Sequence, residues 1–182
     1  MRKKQIISYK LIKRFFDLFF AILLLIVFSP LIIFTYIILK ITFKNDVLFF
    51  QERPGYNNKI FKIIKFRSMY MIFDDNGKLL DDLERTPKIG KLIRSLSIDE
   101  LPQLINIIKG DMSFIGPRPL RKEYLKKYTK EQLKRHNVKP GITGLAQING
   151  RNKLTWEERF NLDIEYVNNY SFMMDIIIFI KT

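Results

Sequence analysis

Residues 94–104 read RSLSIDELPQL, which sets two carboxylates, Asp99 and Glu100, side by side just before Pro102. Acids are the scarcer charge in this chain, which carries 32 Lys and Arg against 18 Asp and Glu and a net charge of +14. An ionised aspartate can act as a nucleophile, and an ionised carboxylate can hold a divalent cation. Two adjacent carboxylates can divide these tasks. A substrate that calls for them carries several phosphate charges, with the surrounding cations as counter-charge. Arg94, Arg118 within GPRP and Arg151 within NGR are the candidate counter-charges. A guanidinium meets phosphate oxygens in a bidentate fork that an ammonium cannot form.

Each feature also has a plainer reading. Ser97 with Glu100 fits a capping box, or Asp99 is itself the N-cap, with Pro102 then in the first turn. On either reading the pair sits at a helix N-terminus, where acids stabilise the helix without doing chemistry. A single arginine is most simply a solvated charge. The stretch PGITG, residues 140–144, either offers backbone N–H groups to an anion or is a plain turn. His136 reads as a surface residue of a basic helix, and Trp156 as a core or membrane-interface residue.

Composition narrows the chemistry. The chain has no cysteine and one histidine, which excludes disulfides, thiolate zinc sites and histidine metal clusters. Any metal is therefore held by oxygen, which favours Mg²⁺, Mn²⁺ or Ca²⁺. The excess of positive charge suits an anionic partner: nucleic acid, an acidic membrane surface or a phosphorylated small molecule. A length of 182 residues, 47% of them hydrophobic, suits one compact domain with an appended segment.

The elements that must position the acids begin with an apolar run, FFDLFFAILLLIVFSPLIIFTYIILKITF, at residues 15–43. Its 22 residues from Leu18 to Leu39 carry no charge, enough to cross a bilayer. It lacks the short core and small-residue cleavage site of a signal peptide, so the segment is expected to remain in the mature protein. Ser29-Pro30 interrupts it, and a proline there kinks a helix. Both flanks are basic, and basic flanks tend to stay cytoplasmic. A re-entrant hairpin broken at Ser29-Pro30 keeps both on one side, with the Ser29 hydroxyl satisfying part of the opened backbone. A spanning helix with a proline kink is the alternative. Beyond it, VLFFQERPGYNNKIFKIIKF reads as two strands and a turn, and residues 74–87 as a loop or short helix. KIGKLIRSL and IDELPQLINIIKG read as short helices, the second stopped by Gly110. SFIGPRPL and VKPGITGLAQINGR read as irregular, and residues 119–136 as a basic helix. TWEE at 155–158 is a capping box that opens a helix to about Asn169. The final apolar run, SFMMDIIIFI, is too short to cross a bilayer.

Taken in order, RPG, FKIIKFRSM, RSLSIDELPQLINIIKGDMSFIGPRPL and KPGITGLAQINGR, preceded by an apolar start with a central Ser-Pro, resemble the bacterial sugar transferases, the monotopic phosphoglycosyl transferases. The resemblance covers nearly the whole chain. It implies transfer of a phosphosugar from a UDP-sugar to undecaprenyl phosphate, with Mg²⁺ as cofactor (Mn²⁺ as a substitute) and release of UMP. It implies that the Asp99-Glu100 pair is catalytic, with Asp99 attacking the sugar-linked phosphate. Asp99 and Glu100 are also the candidate metal ligands, and Glu100 is either a metal ligand or the base that accepts a proton from the lipid phosphate. Arg94, Arg118 and Arg151 would clamp phosphates, with Lys62 or Lys65 lending charge. The implied fold is α/β, mostly helical with a small β-hairpin. A re-entrant anchor at 1–43, broken at Ser29 and Pro30, would precede a catalytic domain at 44–182 on the cytoplasmic face of the inner membrane. Members usually continue beyond the last apolar run, so ending at Thr182 implies a minimal or truncated form, or reduced C-terminal membrane contacts. Two non-enzymatic classes are the alternatives, a membrane-anchored protein that binds anionic lipid and one that binds nucleic acid. No recognition-helix, RNP or zinc-finger pattern supports the latter.

Overall fold

The computed structural model describes residues 2–44, 46–150 and 153–182, with side chains from Tyr9 onward. Arg151 lies outside the described residues. The chain is mostly helical with two small two-stranded sheets, compatible with the α/β class.

The apolar run folds as two helices, α1 (Arg2–Val27) and α2 (Ser29–Thr42), bent by 61° at the break. No single helix among the described residues is long and apolar enough to cross a membrane, whereas the bent pair passes that test together. The break has a local cause. Pro30 has no N–H to give to the carbonyl of Ile26, and the Ser29 hydroxyl donates to that carbonyl instead, at 2.7 Å.

The first helix is also part of the body. Ala21, Leu24 and Leu25 pack in one cluster with Ile63, Leu104 and Ile107. One turn apart on the same helix stand Arg14 and Asp17. Arg14 donates to the carbonyls of Ile107 and Ile108 at 2.6 and 2.9 Å. Asp17 accepts from the Ser113 hydroxyl at 3.0 Å and the Phe114 N–H at 3.1 Å. Tyr9 and Lys13 both reach Asp175, which also accepts from the buried Tyr166 hydroxyl.

The expected hairpin forms from β1 (Leu48–Pro54) and β2 (Ile60–Phe66), antiparallel with Leu48 opposite Phe66. The helices α3 (Asp82–Arg85), α4 (Lys88–Ser95) and α5 (Gln103–Lys109) follow. Gly110, at φ +90°, stops α5 as its position suggested. Next come β3 (Ser113–Ile115), α6 (Lys130–Leu133), β4 (Gly141–Thr143), α7 (Leu145–Ile148), α8 (Trp156–Asn169) and α9 (Phe172–Ile180). The capping box at Thr155 and Glu158 opens α8 as expected.

Two expectations are corrected. The stretches read as irregular contain β3 and β4, which pair in parallel, Ser113 with Gly141 and Ile115 with Thr143, followed by α7. Their glycines serve close backbone approach: a Cβ on Gly141 would stand 2.2 Å from the amide nitrogen of Gly116, and one on Gly144 2.3 Å from the Gly116 carbonyl oxygen. Residues 119–136 do not form one helix. They break into 3₁₀ turns at Lys122–Lys127 and Lys134–Asn137 around α6, because Thr129 starts a new capping box with Gln132.

Candidate active site

Asp99 and Glu100 sit on a 3₁₀ turn, Ile98–Glu100, between α4 and α5. Ser97, at φ +56°, turns the chain into it. The capping box read at Ser97 and Glu100 does not form, and Asp99 is not an N-cap either; Pro102 holds that place for α5. The cause is electrostatic. Glu100 Oε1 accepts from Lys65 Nζ at 2.6 Å and from Arg118 Nη2 at 2.8 Å. Two charge-assisted bonds outweigh one bond to a backbone amide.

Lys65 comes from β2, where it shares a strand face with Phe61 and Ile63. Those two fill the core beside α5, and Lys65 continues their row past the core edge to the acids. Its ammonium stands 3.9 Å from Asp99. Lys62 has the opposite parity, is exposed, and lies across the ribbon from Glu52. The structure therefore brings Lys65 to the acids and leaves Lys62 away from them. Asn106 fixes the strand that carries Lys65. Its amide accepts from the Ile64 N–H at 3.0 Å and donates to the Lys62 carbonyl at 2.8 Å. Sequence reading missed this residue, although one amide within the apolar run LINIIK was a signal.

The surroundings push the two acids in opposite directions. Burial pushes the Asp99 carboxyl above the ordinary aspartate range; Lys65 opposes this, the charge of Glu100 adds to it, and Arg94 opposes it further. Burial also acts to raise Glu100, but Arg118 and Lys65 together outweigh it and hold that carboxyl below the ordinary glutamate range. Neighbouring carboxylates with environments that push them apart can take different roles.

A cleft of about 920 Å³ opens over the pair. Lys65, Arg94 and Arg118 line it at the acids, while Leu24, Phe28, Phe114, Ile142 and Phe179 give it apolar wall. Leu24 and Phe28 come from the end of α1 and the kink. Part of the PGITG backbone is committed elsewhere: the Gly141 N–H bonds to the Pro117 carbonyl at 3.1 Å, and the Thr143 carbonyl accepts from the Gly116 N–H at 2.9 Å. Trp156 is half-exposed, with the rings of Tyr124 and Phe160 beside it at 5.4 and 6.1 Å.

His136 is a further correction. It is buried, not on the surface, with Nδ1 2.6 Å from Asn58 Oδ1. Burial, with the charge of Arg135, pushes its imidazole down to about 4. An unfolded histidine titrates near pH ~6.5. The unfolded chain thus binds a proton that the folded chain refuses between these values, and stability falls as pH drops through that window. Replacing His136 with Gln should remove about 2 kcal/mol of this acid-side loss. Melting temperatures of both proteins at neutral and mildly acidic pH test it; equal slopes would contradict the assignment.

A cleft that is cationic at one end and apolar along its wall, built on a kinked apolar helix pair, defines the class of site. The chain belongs to the bacterial sugar transferase family, whose model matches residues 8–182. An uncharacterized sugar transferase from Bacillus subtilis, EpsL, is 52% identical over 91% of this chain and 82% of its own length. The undecaprenyl-phosphate glucose phosphotransferase of Komagataeibacter xylinus is 42% identical over 93% of this chain and 35% of its own. The UDP-N-acetylgalactosamine-undecaprenyl-phosphate N-acetylgalactosaminephosphotransferase of Aeromonas hydrophila is 38% identical over 96% and 43%. The chain thus spans less than half the length of these last two relatives.

Proposed function

We propose that this protein is a phosphoglycosyl transferase that moves a phosphosugar from a UDP-sugar to undecaprenyl phosphate and releases UMP. The observation that carries the reading is the cleft itself. Around Asp99 and Glu100 it sets Lys65, Arg94 and Arg118 against an apolar wall that the kinked helix helps to build, which suits a reaction between a water-soluble diphosphate and a lipid phosphate. Residues 1–43 enter the cytoplasmic membrane from its inner face and return, and residues 44–182 work on that surface.

Asp99 is the nucleophile. Its carboxylate accepts no hydrogen bond from Lys65 at 3.9 Å, and its raised affinity for protons goes with greater nucleophilicity. An Asp99 oxygen attacks the sugar-linked phosphorus, the bond from that phosphorus to the bridging oxygen breaks, and UMP leaves. A phosphate oxygen of the lipid then attacks the same phosphorus and expels the Asp99 carboxylate. Arg94, Arg118 and Lys65 hold the phosphate oxygens.

The donor set fits Mg²⁺, with Mn²⁺ as a substitute. Only Glu100 Oε1 is engaged by Lys65 and Arg118, which leaves Oε2 and the Asp99 carboxylate to hold the ion. No group of three acidic or histidine side chains converges among the described residues, and none is needed. Magnesium usually takes one or two carboxylates together with substrate phosphates and water. Bound there, it would neutralise the diphosphate and ease departure of UMP. Glu100, held ionised by its two cations, suits a metal ligand better than a base.

A UMP-release assay with undecaprenyl phosphate and Mg²⁺ tests the reading. The relatives' names recommend UDP-glucose and UDP-N-acetylgalactosamine as first donors. At least one UDP-sugar should release UMP, and EDTA should stop it; silence across a broad panel would overturn the reading. Arg118→Lys tests the guanidinium. Losing such a charged contact costs on the order of 2–5 kcal/mol. Arg118 is 48% exposed, so we expect the lower end, roughly 30-fold in kcat/KM. Unchanged kinetics would return Arg118 to a surface role.

A further inference from the structure

Arg135 and Asp163 also line the cleft, and the chemistry above uses neither. Their side chains are 2% and 5% exposed. Nε and Nη2 of Arg135 donate to Asp163 Oδ2 at 3.0 and 2.6 Å. The same Nη2 donates to the backbone carbonyl of Arg118 at 2.8 Å, and Nη1 to the Tyr128 hydroxyl at 3.3 Å. The rings of Tyr128 and Phe160 flank the guanidinium at 5.9 and 5.5 Å. A buried ion pair is poor evidence of stabilisation in itself, since desolvation offsets most of the attraction. The bond to Arg118 gives this one a geometric task.

The peptide unit between Arg118 and Pro119 has no N–H, because its nitrogen belongs to proline. The Arg118 carbonyl is its only hydrogen-bonding group, and Arg135 holds it. The preceding carbonyl, that of Pro117, is held from another side by the Gly141 N–H at 3.1 Å. Two successive carbonyls are thus fixed, and with them the direction in which the Arg118 side chain leaves the backbone. That side chain ends on Glu100.

We propose that Arg135 and Asp163 are a positioning pair: Asp163 orients Arg135, Arg135 fixes the Arg118–Pro119 peptide unit, and the Arg118 guanidinium is thereby set on Glu100. Only the kinetic part of the test rests on the phosphoglycosyl transferase reading. The variants are Asp163→Asn, which unbalances the pair, and the double change Arg135→Met with Asp163→Leu. The double change keeps the volume apolar and should fold where the single change does not.

The first readout needs no catalysis. Phenylglyoxal modifies free arginines, and the rate at Arg118 is followed by peptide mass spectrometry, with Glu100→Gln as the reference for a released Arg118. In both variants Arg118 should react several-fold faster than in the unchanged protein, approaching that reference. The second readout is kinetic. Misplacement of a catalytic contact by about an ångström costs on the order of 100-fold, so kcat should fall about 10- to 100-fold with KM for the UDP-sugar less affected. Adding Arg118→Ala to the double variant should cost nothing beyond Arg118→Ala alone. A folded double variant with unchanged Arg118 reactivity would overturn the proposal and leave the pair a structural ion pair. Faster modification in a protein that releases no UMP from any UDP-sugar would support the positioning role and sink the transferase reading instead.

Discussion

Asp99→Asn is expected to abolish UMP release and, with it, a covalent adduct. Incubated with its UDP-sugar and Mg²⁺ but no lipid acceptor, the unchanged protein should gain the mass of one phosphosugar and release one equivalent of UMP. The variant should do neither. Removing a nucleophile that acts in concert with other groups typically costs 10⁴-fold or more, so roughly that loss is expected. The unequal surroundings of the two acids motivate the choice of Asp99. Glu100 already accepts from two cations at 2.6 and 2.8 Å, whereas among the described residues the nearest cation to Asp99, that of Lys65, stands at 3.9 Å. Mass spectrometry of the intact protein and a UMP assay give the two readouts. A variant that still turns over without an adduct would sink the nucleophile assignment in favour of direct attack by the lipid phosphate.

The second large effect concerns the kink. Replacing Ser29 with Ala and Pro30 with Leu restores one backbone hydrogen bond to the Ile26 carbonyl and removes a helix-breaking penalty of roughly 3 kcal/mol. A straight helix over the uncharged stretch from Leu18 to Leu39 would be about 33 Å long, enough to span the hydrocarbon core. One basic flank would then be forced across, so mixed topology and loss of activity are expected. The chain has no cysteine, which makes Lys4→Cys and Lys44→Cys clean reporters for a membrane-impermeant thiol reagent applied to intact cells. Both should be protected in the otherwise unchanged protein, and the Lys4 position should become accessible after straightening. Strong labelling at the Lys4 position before straightening would refute the hairpin and restore a spanning helix.

What the sequence disclosed was mostly local. Pro30 cannot donate, Gly110 takes a left-handed conformation, and Thr155 reaches a backbone amide three residues on; each is settled within a few residues, and each appears where it was read. The local reading failed where a distant partner took over. Ser97 and Glu100 have the types of a capping box, but Glu100 is drawn to Lys65, 35 residues earlier, and to Arg118, 18 residues later. His136 was read from its basic neighbours, yet Asn58, 78 residues away, holds it inside. The pairing of β3 with β4 was hidden because each strand is three residues long and its partner lies beyond a long excursion. Besides Asn106, two further signals were legible and passed over. Thr129 and Gln132 form the same capping pattern as Thr155 and Glu158, and the parity of Lys65 with Phe61 and Ile63 separates it from Lys62.

The contacts of the first helix bear on how this protein can be handled. It is natural to want a water-soluble version by trimming the apolar start. Residues 44–182 alone would lose the Arg14 guanidinium from two carbonyls of α5 and the Asp17 carboxylate from the start of β3. The core cluster would lose Ala21, Leu24 and Leu25, and the cleft part of its apolar wall. Solubility by deletion would therefore yield an open, aggregation-prone fragment. Polar substitutions on the outward face of the helix pair, at residues such as Phe15, Ile33 or Phe34, would keep every one of these contacts. Greater solubility is then a matter of repainting the exterior of the helix pair and leaving its inner face alone.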